Sequence, residues 1–312
     1  MGRFVYLICG TLLLTGCLAT EREVLAVNHL VEMKDELVTK KPLIWTITLH
    51  DERGELEDVI IKLNDYGYDV AQKDDWQLDE ALLRTTIKRL AKQIDQKMIN
   101  PSINEQGEVI EGQKQVVLLE DELLASLLSL EHYENELSLP INENEPTVAV
   151  EDLEGIFNEV IGSYSTRFNA GVRGRSKNIA ISAEAISYYV LGPGDEFSFN
   201  GVVGERTRER GYQEAIEIVN KEFVVGIGGG ICQTSSTLFN AIDDAGLEVI
   251  ERTSHSKDIG YVPPNRDATV SWGGPDFKFK NPYQIPVILR SKVSLDTGKI
   301  IVEVLAKEKI SN

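Results

Sequence analysis

Residues 226–246, GIGGGICQTSSTLFNAIDDAG, place a cluster of glycines directly before a helix. The apolar run just upstream predicts a strand, and Gly228, Gly229 and Gly230 predict a sharp turn because glycine tolerates left-handed backbone. Downstream, apolar residues recur at helical spacing, and Gly246 can end the helix. Cys232 therefore lies at a strand-to-helix turn, at or near the first turn of the helix.

The position of Cys232 has a chemical consequence. Free backbone N–H groups and the dipole at a helix N-terminus favour the anionic thiolate form of a cysteine. The same N–H groups, from Gly229 to Gln233, can stabilise the oxyanion that forms when a thiolate attacks a carbonyl group. The alternative interpretation is a buried, unreactive cysteine, which Ile231 and the apolar helix after it favour.

A cysteine nucleophile also needs a base, and the sequence offers one histidine nearby. Of the four histidines, only His255 lies in the C-terminal half of the chain with Cys232. We expect His255 to activate Cys232, with Asp267 or Asp276 orienting the imidazole ring; spacing does not rank these two carboxylates. The alternative for His255 is an ordinary histidine in a surface loop.

Two classes of ligand have no support in the sequence. One cysteine and one histidine do not complete a zinc site, and neither CxxC nor HExxH occurs, so we expect no metal and no cofactor. The 312-residue chain carries a net charge of −18 and has no basic stripe. Because nucleic-acid binding needs clustered Lys and Arg, we expect no nucleic-acid partner.

The N-terminus predicts export. The apolar run FVYLICGTLLL over residues 4–14 is too short to span a bilayer and suits a signal peptide. It ends in Leu14-Thr15-Gly16-Cys17, which resembles the lipobox of bacterial lipoproteins. We therefore expect a signal peptide over 1–16 and a lipid on Cys17 that anchors the protein to the extracytoplasmic face of the cell membrane. The alternative is an ordinary secretory signal or a short N-terminal anchor, with an incidental cysteine.

The rest of the chain predicts an α+β protein of two domains, which its length allows. We predict a tether and first strand over 17–56, an α+β domain over 57–146, and a β-rich domain over 150–308 with a central helix starting near Cys232. Within these domains, residue spacing predicts helices over 78–99, 120–129 and 179–190, and a loop over 166–180.

The C-terminal half resembles the VanW family, which is named for a protein encoded in a vancomycin-resistance cluster. The matching motifs follow the family's order over about residues 155–305, and GGGICQ (228–233) is the most specific of them. The others are FSFN (197–200), GERT (204–207), GY (211–212) with EA (214–215), ER (251–252) with HS (255–256), YVP (261–263), DATV (267–270) and DFKFKN (276–281). Residues 57–146 more loosely resemble a peptidoglycan-binding domain that often precedes VanW domains.

This resemblance implies a cell-envelope protein that acts on peptidoglycan. Some members of the family are proposed to act as cysteine-dependent L,D-transpeptidases, so Cys232 would take an acyl group from a stem peptide. The substrate would be bound by residues around the turn and by an arginine that pairs with a stem-peptide carboxylate: Gly228, Gly229, Gly230, Gln233 and either Arg206 or Arg252.

Two other functions stay open. The protein can be a non-catalytic peptidoglycan-binding or scaffold module, in which Cys232 packs in the core. It can also be an envelope lipoprotein that senses antibiotic or spore signals. In L,D-transpeptidases the histidine precedes the cysteine, whereas His255 follows Cys232, so a shared mechanism would be convergent.

Overall fold

The computed structural model describes residues 44–69, 77–131, 134–219, 222–256 and 259–310. The predicted signal peptide, the predicted lipidation site Cys17 and most of the predicted tether lie outside these ranges. The described chain forms two compact units, the first ending at Gln93 and resuming over Leu119–Pro140, the second taking in Ile94–Leu118 and the chain from Ile141 onward. Helices alternate with small, mostly antiparallel sheets, which confirms the predicted α+β class. The predicted domain boundaries stay a prediction.

The first unit builds a three-stranded sheet and two helices. Strand β1 (Thr46–His50) pairs antiparallel with β2 (Val59–Lys62). It also pairs in parallel with β6 (Glu136–Ser138). Helix α1 (Glu80–Ile94) begins with an acidic residue in its first turn, as the helix dipole favours, and α2 (Glu120–Leu128) has three.

Helix α1 ends earlier than the predicted residue 99, and local pairing explains the difference. The Asp95 side chain accepts a hydrogen bond from the backbone N–H of Leu118. Beyond it, Gln96 and Ile99 form isolated bridges with Val116 and Gln113. Extended pairing therefore replaces the last turn that periodicity alone predicts.

The second unit opens with two short antiparallel pairs. Strand β3 (Ser102–Ile103) pairs with β4 (Val109–Ile110). Strand β5 (Gln115–Leu118) pairs with β7 (Ile141–Asn144).

The largest sheet of the second unit has four antiparallel strands in the order β8-β16-β15-β9. They span Glu159–Arg167, Lys299–Ala306, Val287–Ser294 and Val190–Leu191 respectively. Helices α3 (Arg173–Ile186) and α5 (Ile231–Asp244) pack on this sheet and on each other. At the crossing of α5 and β8, a Cβ on Gly162 would lie 2.5 Å from the backbone oxygen of Ala241, so only glycine fits there.

Helix α3 begins at Arg173, whereas the sequence predicts a loop over 166–180. The two glycines at 171 and 174 favour a loop by composition. Gly174 is instead required by packing, because a Cβ there would lie 2.3 Å from the backbone oxygen of Glu214. A close helix-to-strand contact thus overrides the local preference of glycine.

A smaller sheet, a hairpin and a short helix complete the second unit. Strands β10 (Glu196–Ser198), β14 (Lys278–Lys280) and β13 (Glu248–Glu251) are ordered β10-β14-β13. Strands β11 (Glu214–Val219) and β12 (Glu222–Ile227) form the hairpin that precedes the glycine turn, and α4 covers Phe199–Val203.

The aromatic core lies between the small sheet and α5. The rings of Phe197 and Phe279 stack with their centroids 4.7 Å apart, and Phe277 packs edge-on against Phe239 of α5. Apolar residues of the four-stranded sheet and of the small sheet therefore pack against α5 in one core. Across the described residues, no helix is both long and apolar enough to cross a bilayer.

Candidate active site

The glycine turn presents Cys232 in the first turn of α5. Gly228 and Gly230 have φ angles of +103° and +109°, a region that residues with a side chain rarely adopt. A Cβ on Gly230 would lie 2.8 Å from Cγ of Arg175, and one on Gly229 would lie 2.6 Å from the backbone oxygen of Ile216. All three glycines therefore allow the turn to pack closely against neighbouring residues. Direct substrate binding by these glycines stays a prediction.

A buried asparagine holds the turn in place. The Asn178 side chain of α3 donates to the backbone oxygens of Gly229 and Gln213, at 3.0 and 2.9 Å. Its oxygen accepts from the backbone N–H of Gln213 at 2.7 Å. Asn178 thus ties the start of the hairpin to the glycine turn, a role that sequence reasoning missed.

The backbone amides at the start of α5 are only partly used. Ile231 and Gln233 donate back to the oxygens of Gly228 and Gly230, at 3.2 and 2.9 Å. Among the described residues, no group accepts a hydrogen bond from the N–H of Cys232. This N–H is therefore available to a developing oxyanion next to the sulfur.

Cys232, His255 and Asp267 form a connected chain of side chains. The His255 Nδ1 lies 2.6 Å from Oδ2 of Asp267, and the backbone N–H of His255 donates to the same oxygen at 2.5 Å. The Cys232 side chain interacts electrostatically with His255, and Sγ donates a hydrogen bond to the backbone oxygen of Val270 at 3.5 Å. Because Asp267 occupies Nδ1, Nε2 is the ring nitrogen that remains for the sulfur.

Burial and charge both act on this chain of side chains. Only 7% of the His255 side chain and 6% of the Asp267 side chain are exposed, whereas Cys232 is half-buried. Burial alone would lower the pKa of His255, but hydrogen bonding and charge from Cys232, and then from Asp267, raise it above 6.5. Burial pushes the pKa of Asp267 upward, and the hydrogen bonds from His255 outweigh it and lower that pKa. These interactions favour the charged forms of His255 and Asp267.

Of the two carboxylates that the sequence offers, Asp267 is the one beside His255. Asp276 is engaged elsewhere: it accepts from Oγ of Ser198 at 2.6 Å and from the backbone N–H groups of Asn200 and Phe277, both at 2.8 Å. The catalytic roles of Cys232, His255 and Asp267 stay a proposal.

A polar face of α5 positions the loop that carries Asp267. Ser235 donates to the backbone oxygen of Ala268 at 2.5 Å, and the Ala268 N–H donates to Oγ of Ser236 at 2.9 Å. Asn240 donates to the backbone oxygen of Arg266 at 2.7 Å. The sequence analysis did not predict this polar face. The feature that indicated it is the run of four hydroxyl-bearing residues over 234–237, all of which are buried in the structure.

Arg252 lies in the same network and is occupied by protein groups. Its Nη1 donates to the backbone oxygen of Asp267 at 2.7 Å and to Oγ of Ser254 at 3.1 Å. Its guanidinium carbon lies 4.7 Å from the centroid of the Phe239 ring. These contacts favour a bracing role for Arg252; its predicted pairing with a substrate carboxylate stays a prediction.

Gln233 is buried, with all of its amide groups engaged. Its Nε2 donates to Oγ1 of Thr166 and to the backbone oxygen of Arg167, both at 2.9 Å. Its Oε1 accepts from Nη2 of Arg175 at 2.7 Å. Gln233 therefore fixes α5 to β8 and to Arg175, and its predicted contact with substrate stays a prediction.

Two further side chains near the sulfur were not anticipated. The guanidinium of Arg175 lies 5.9 Å from the centroid of the Tyr261 ring, and both side chains interact electrostatically with Cys232. Burial lowers the pKa of Arg175 and raises the pKa of Tyr261. In the sequence, Arg175 lies in the segment GVRGRS (171–176) and Tyr261 in YVP (261–263), and neither segment indicates a position near Cys232.

Arg206 completes the charged surroundings of Cys232. Burial lowers its pKa, against the opposing effects of Tyr212, Cys232 and Asp276. The guanidinium carbon lies 5.8 Å from the centroid of the Phe199 ring. Within the described ranges, no cluster of three His, Cys, Asp or Glu residues could hold a metal ion.

Comparison with known proteins agrees with the predicted resemblance. Residues 174–305 match the family model described as VanW like protein. The chain is 43% identical over 210 residues to the Bacillus subtilis protein YoaR, an alignment that covers 65% of this chain and 69% of YoaR. It is 30% identical over 142 residues to the vancomycin B-type resistance protein VanW of Enterococcus faecalis, covering 42% of this chain and 49% of that protein. No solved structure matches. The chain belongs to the VanW family.

Proposed function

We propose that this protein is a cell-envelope lipoprotein that uses Cys232 to take an acyl group from a peptidoglycan stem peptide. One observation carries the proposal: the His255 imidazole is hydrogen-bonded to Asp267 and interacts electrostatically with Cys232 in the first turn of α5. Nucleophile, base and orienting carboxylate in that order are the arrangement that activates a thiol for attack on a carbonyl carbon. Family membership supports the cell-envelope setting.

In the first half-reaction, Nε2 of His255 takes the proton of Cys232, and Sγ attacks the carbonyl carbon of a stem-peptide amide. The N–H of Cys232 donates to the oxyanion that results. When the C–N bond breaks, His255 returns the proton to the leaving amine, and the acyl group stays on Sγ as a thioester.

In the second half-reaction, an amine or a water molecule attacks the thioester and gives a proton to His255. The C–S bond then breaks, and the proton passes to Sγ, which restores the thiol. An amine acceptor gives a cross-link, and water gives hydrolysis.

The second candidate function is a non-catalytic peptidoglycan-binding module. The observation that favours it is that Cys232 packs partly against the core cluster around α5. In that case, replacement of the thiol would leave every activity of the protein unchanged.

The two functions are separated by incubating the purified protein with sacculi and quantifying cross-linked and trimmed muropeptides. We expect the wild type to change the muropeptide pattern and C232A, with an unchanged circular dichroism spectrum, to have no effect. An unchanged pattern with both proteins would favour the binding module, and equal changes with both proteins would contradict the catalytic role of Cys232.

A further inference from the structure

Among the described residues, the two terminal guanidinium nitrogens of Arg206 are buried without a hydrogen-bond partner. Both Nη1 and Nη2 are shielded from solvent, and neither donates a hydrogen bond to any group in the part of the chain that the structure describes. A buried cation without a hydrogen-bond partner is costly, and proteins retain one where a ligand or a reacting group supplies the missing charge. Arg206 therefore needs an anion.

A second unsatisfied donor, the hydroxyl of Tyr212, interacts electrostatically with Arg206. The hydroxyl of Tyr212 is also buried and meets no acceptor within the described ranges. Arg206 and Tyr212 interact electrostatically with each other, and the guanidinium carbon of Arg210 lies 5.9 Å from the centroid of the Tyr212 ring. Nη1 and Nη2 of Arg206 and the hydroxyl of Tyr212 are thus three unsatisfied donors in an electropositive environment.

The acidic residue that interacts with Arg206 does not satisfy it by hydrogen bonding. Asp276 acts on Arg206 only through its charge. Both Asp276 oxygens already accept hydrogen bonds, Oδ2 from Ser198 and Oδ1 from two backbone N–H groups. The missing acceptor therefore has to come from outside this set of side chains.

Arg206 is placed against the turn that carries the nucleophile. A Cβ on Gly228 would lie 3.1 Å from Cβ of Arg206, so the arginine stem packs directly on the glycine turn. Arg206 also interacts electrostatically with Cys232. Arg206 as a whole is only half-buried, because its stem is partly exposed while its terminal nitrogens are shielded.

We propose that Arg206 and Tyr212 form a carboxylate-binding subsite for the acyl donor. The inference rests on the proposed function of Cys232 and names its substrate class: peptides that carry a free carboxylate next to the scissile amide. The guanidinium would bind the carboxylate through two parallel N–H···O hydrogen bonds, and the tyrosine hydroxyl would add a third. When Sγ displaces the amine, the carboxylate-bearing residue leaves with the proton from His255.

Binding to C232A tests the subsite without turnover. The probe is a synthetic stem tetrapeptide, used as its free acid and as its C-terminal amide in isothermal titration calorimetry. We expect the acid to bind C232A roughly 10- to 100-fold more tightly than the amide, as charge-assisted hydrogen bonds imply. Adding R206M should remove this preference, R206K should keep part of it, and Y212F should reduce it severalfold.

The matched control is R208M in the same C232A background. Arg208 lies two residues away, is exposed and pairs with Glu214, so its loss should leave the preference for the acid unchanged. Equal affinity of C232A for acid and amide, or a preference that survives both R206M and Y212F, would overturn the subsite.

Failure of the subsite and failure of the catalytic proposal give different results. If wild-type protein forms a thioester equally well from acid and amide, the result supports Cys232 as the nucleophile and contradicts the carboxylate-binding subsite. If C232A binds the acid more tightly than the amide in a way that depends on Arg206, but wild-type protein forms no thioester, the result supports the subsite as a binding site and contradicts the catalytic proposal.

Discussion

At the scale of single residues, the proposed acyl transfer by Cys232 depends on how the imidazole of His255 is oriented. The Asp267 carboxylate accepts from both the ring and the backbone N–H of His255, so one oxygen sets the tautomer and the orientation of the imidazole. The polar face of α5 hydrogen-bonds to the residues on both sides of Asp267. The helix that carries Cys232 therefore also positions the carboxylate that orients the imidazole of His255.

Replacing Asp267 with asparagine tests this orientation. We expect D267N to lower the rate of acyl transfer by roughly 10²- to 10⁴-fold, because the amide cannot hold the same tautomer or stabilise the imidazolium. The measurement is release of the leaving residue from a stem peptide, with D244N as the control because Asp244 bonds to the Ser163 N–H and not to His255. A D267N rate within twofold of wild type would refute the role of Asp267.

The pKa shifts of the same pair predict how stability depends on pH. The raised pKa of His255 stabilises the fold fully below pH 6.5, and this contribution is lost as the pH rises through the folded value. The lowered pKa of Asp267 stabilises the fold above pH 3.8, and this contribution is lost as the pH falls through its folded value.

We therefore expect H255Q to lower the free energy of unfolding most between pH 3.8 and pH 6.5, with a smaller loss as the pH rises further. Urea unfolding of wild type and H255Q across this range measures the difference. A difference that grows steadily toward alkaline pH would show that His255 is not stabilised as an imidazolium.

At the scale of elements, the strand, glycine turn and helix around Cys232 could be predicted because their signals are local. The glycines, the apolar periodicity and the first turn at Ile231 all lie within a few residues of one another. The start of α3 could not be predicted, because Gly174 favours a loop locally and is explained only by its contact with β11. Tertiary contacts decide such positions, and a single sequence does not contain them.

Gly230 offers an element-scale test. We expect G230A to lower the free energy of unfolding by about 1–3 kcal/mol, since the new Cβ meets the Arg175 side chain at a φ of +109°. The control is G194A, where φ is +80° but nothing lies within 4 Å of the new Cβ, so only about 1 kcal/mol is expected. Urea denaturation measures both, and equal losses would mean that the contact with Arg175 contributes nothing.

At the scale of the whole molecule, the family and the α+β class could be anticipated from the sequence. For His255 the sequence offered Asp267 or Asp276 without ranking them, and only the fold places Asp267 beside the imidazole. Arg175 and Tyr261 could not be assigned to the surroundings of Cys232, since they come from α3 and from the loop after His255. Only the fold brings residues from such distant positions to one sulfur.

The proposed lipid anchor is a property of the whole protein. We expect C17S to move the protein from the membrane fraction to the soluble extracytoplasmic fraction and to abolish incorporation of labelled palmitate, because the acylated thiol is gone. C232A serves as the control and should stay in the membrane fraction with its label. Palmitate incorporation that persists in C17S would contradict lipidation at this residue.

The central claim is that Cys232 becomes acylated, and intact-protein mass spectrometry after acid quenching tests it most directly. Wild-type protein incubated with a stem tetrapeptide should gain the mass of the acyl group, located on the Cys232 peptide and removed by hydroxylamine. C232A should gain nothing, and H255Q should be acylated far more slowly. Stem-peptide turnover by wild type and C232A alike, with no adduct on Cys232, would contradict the account.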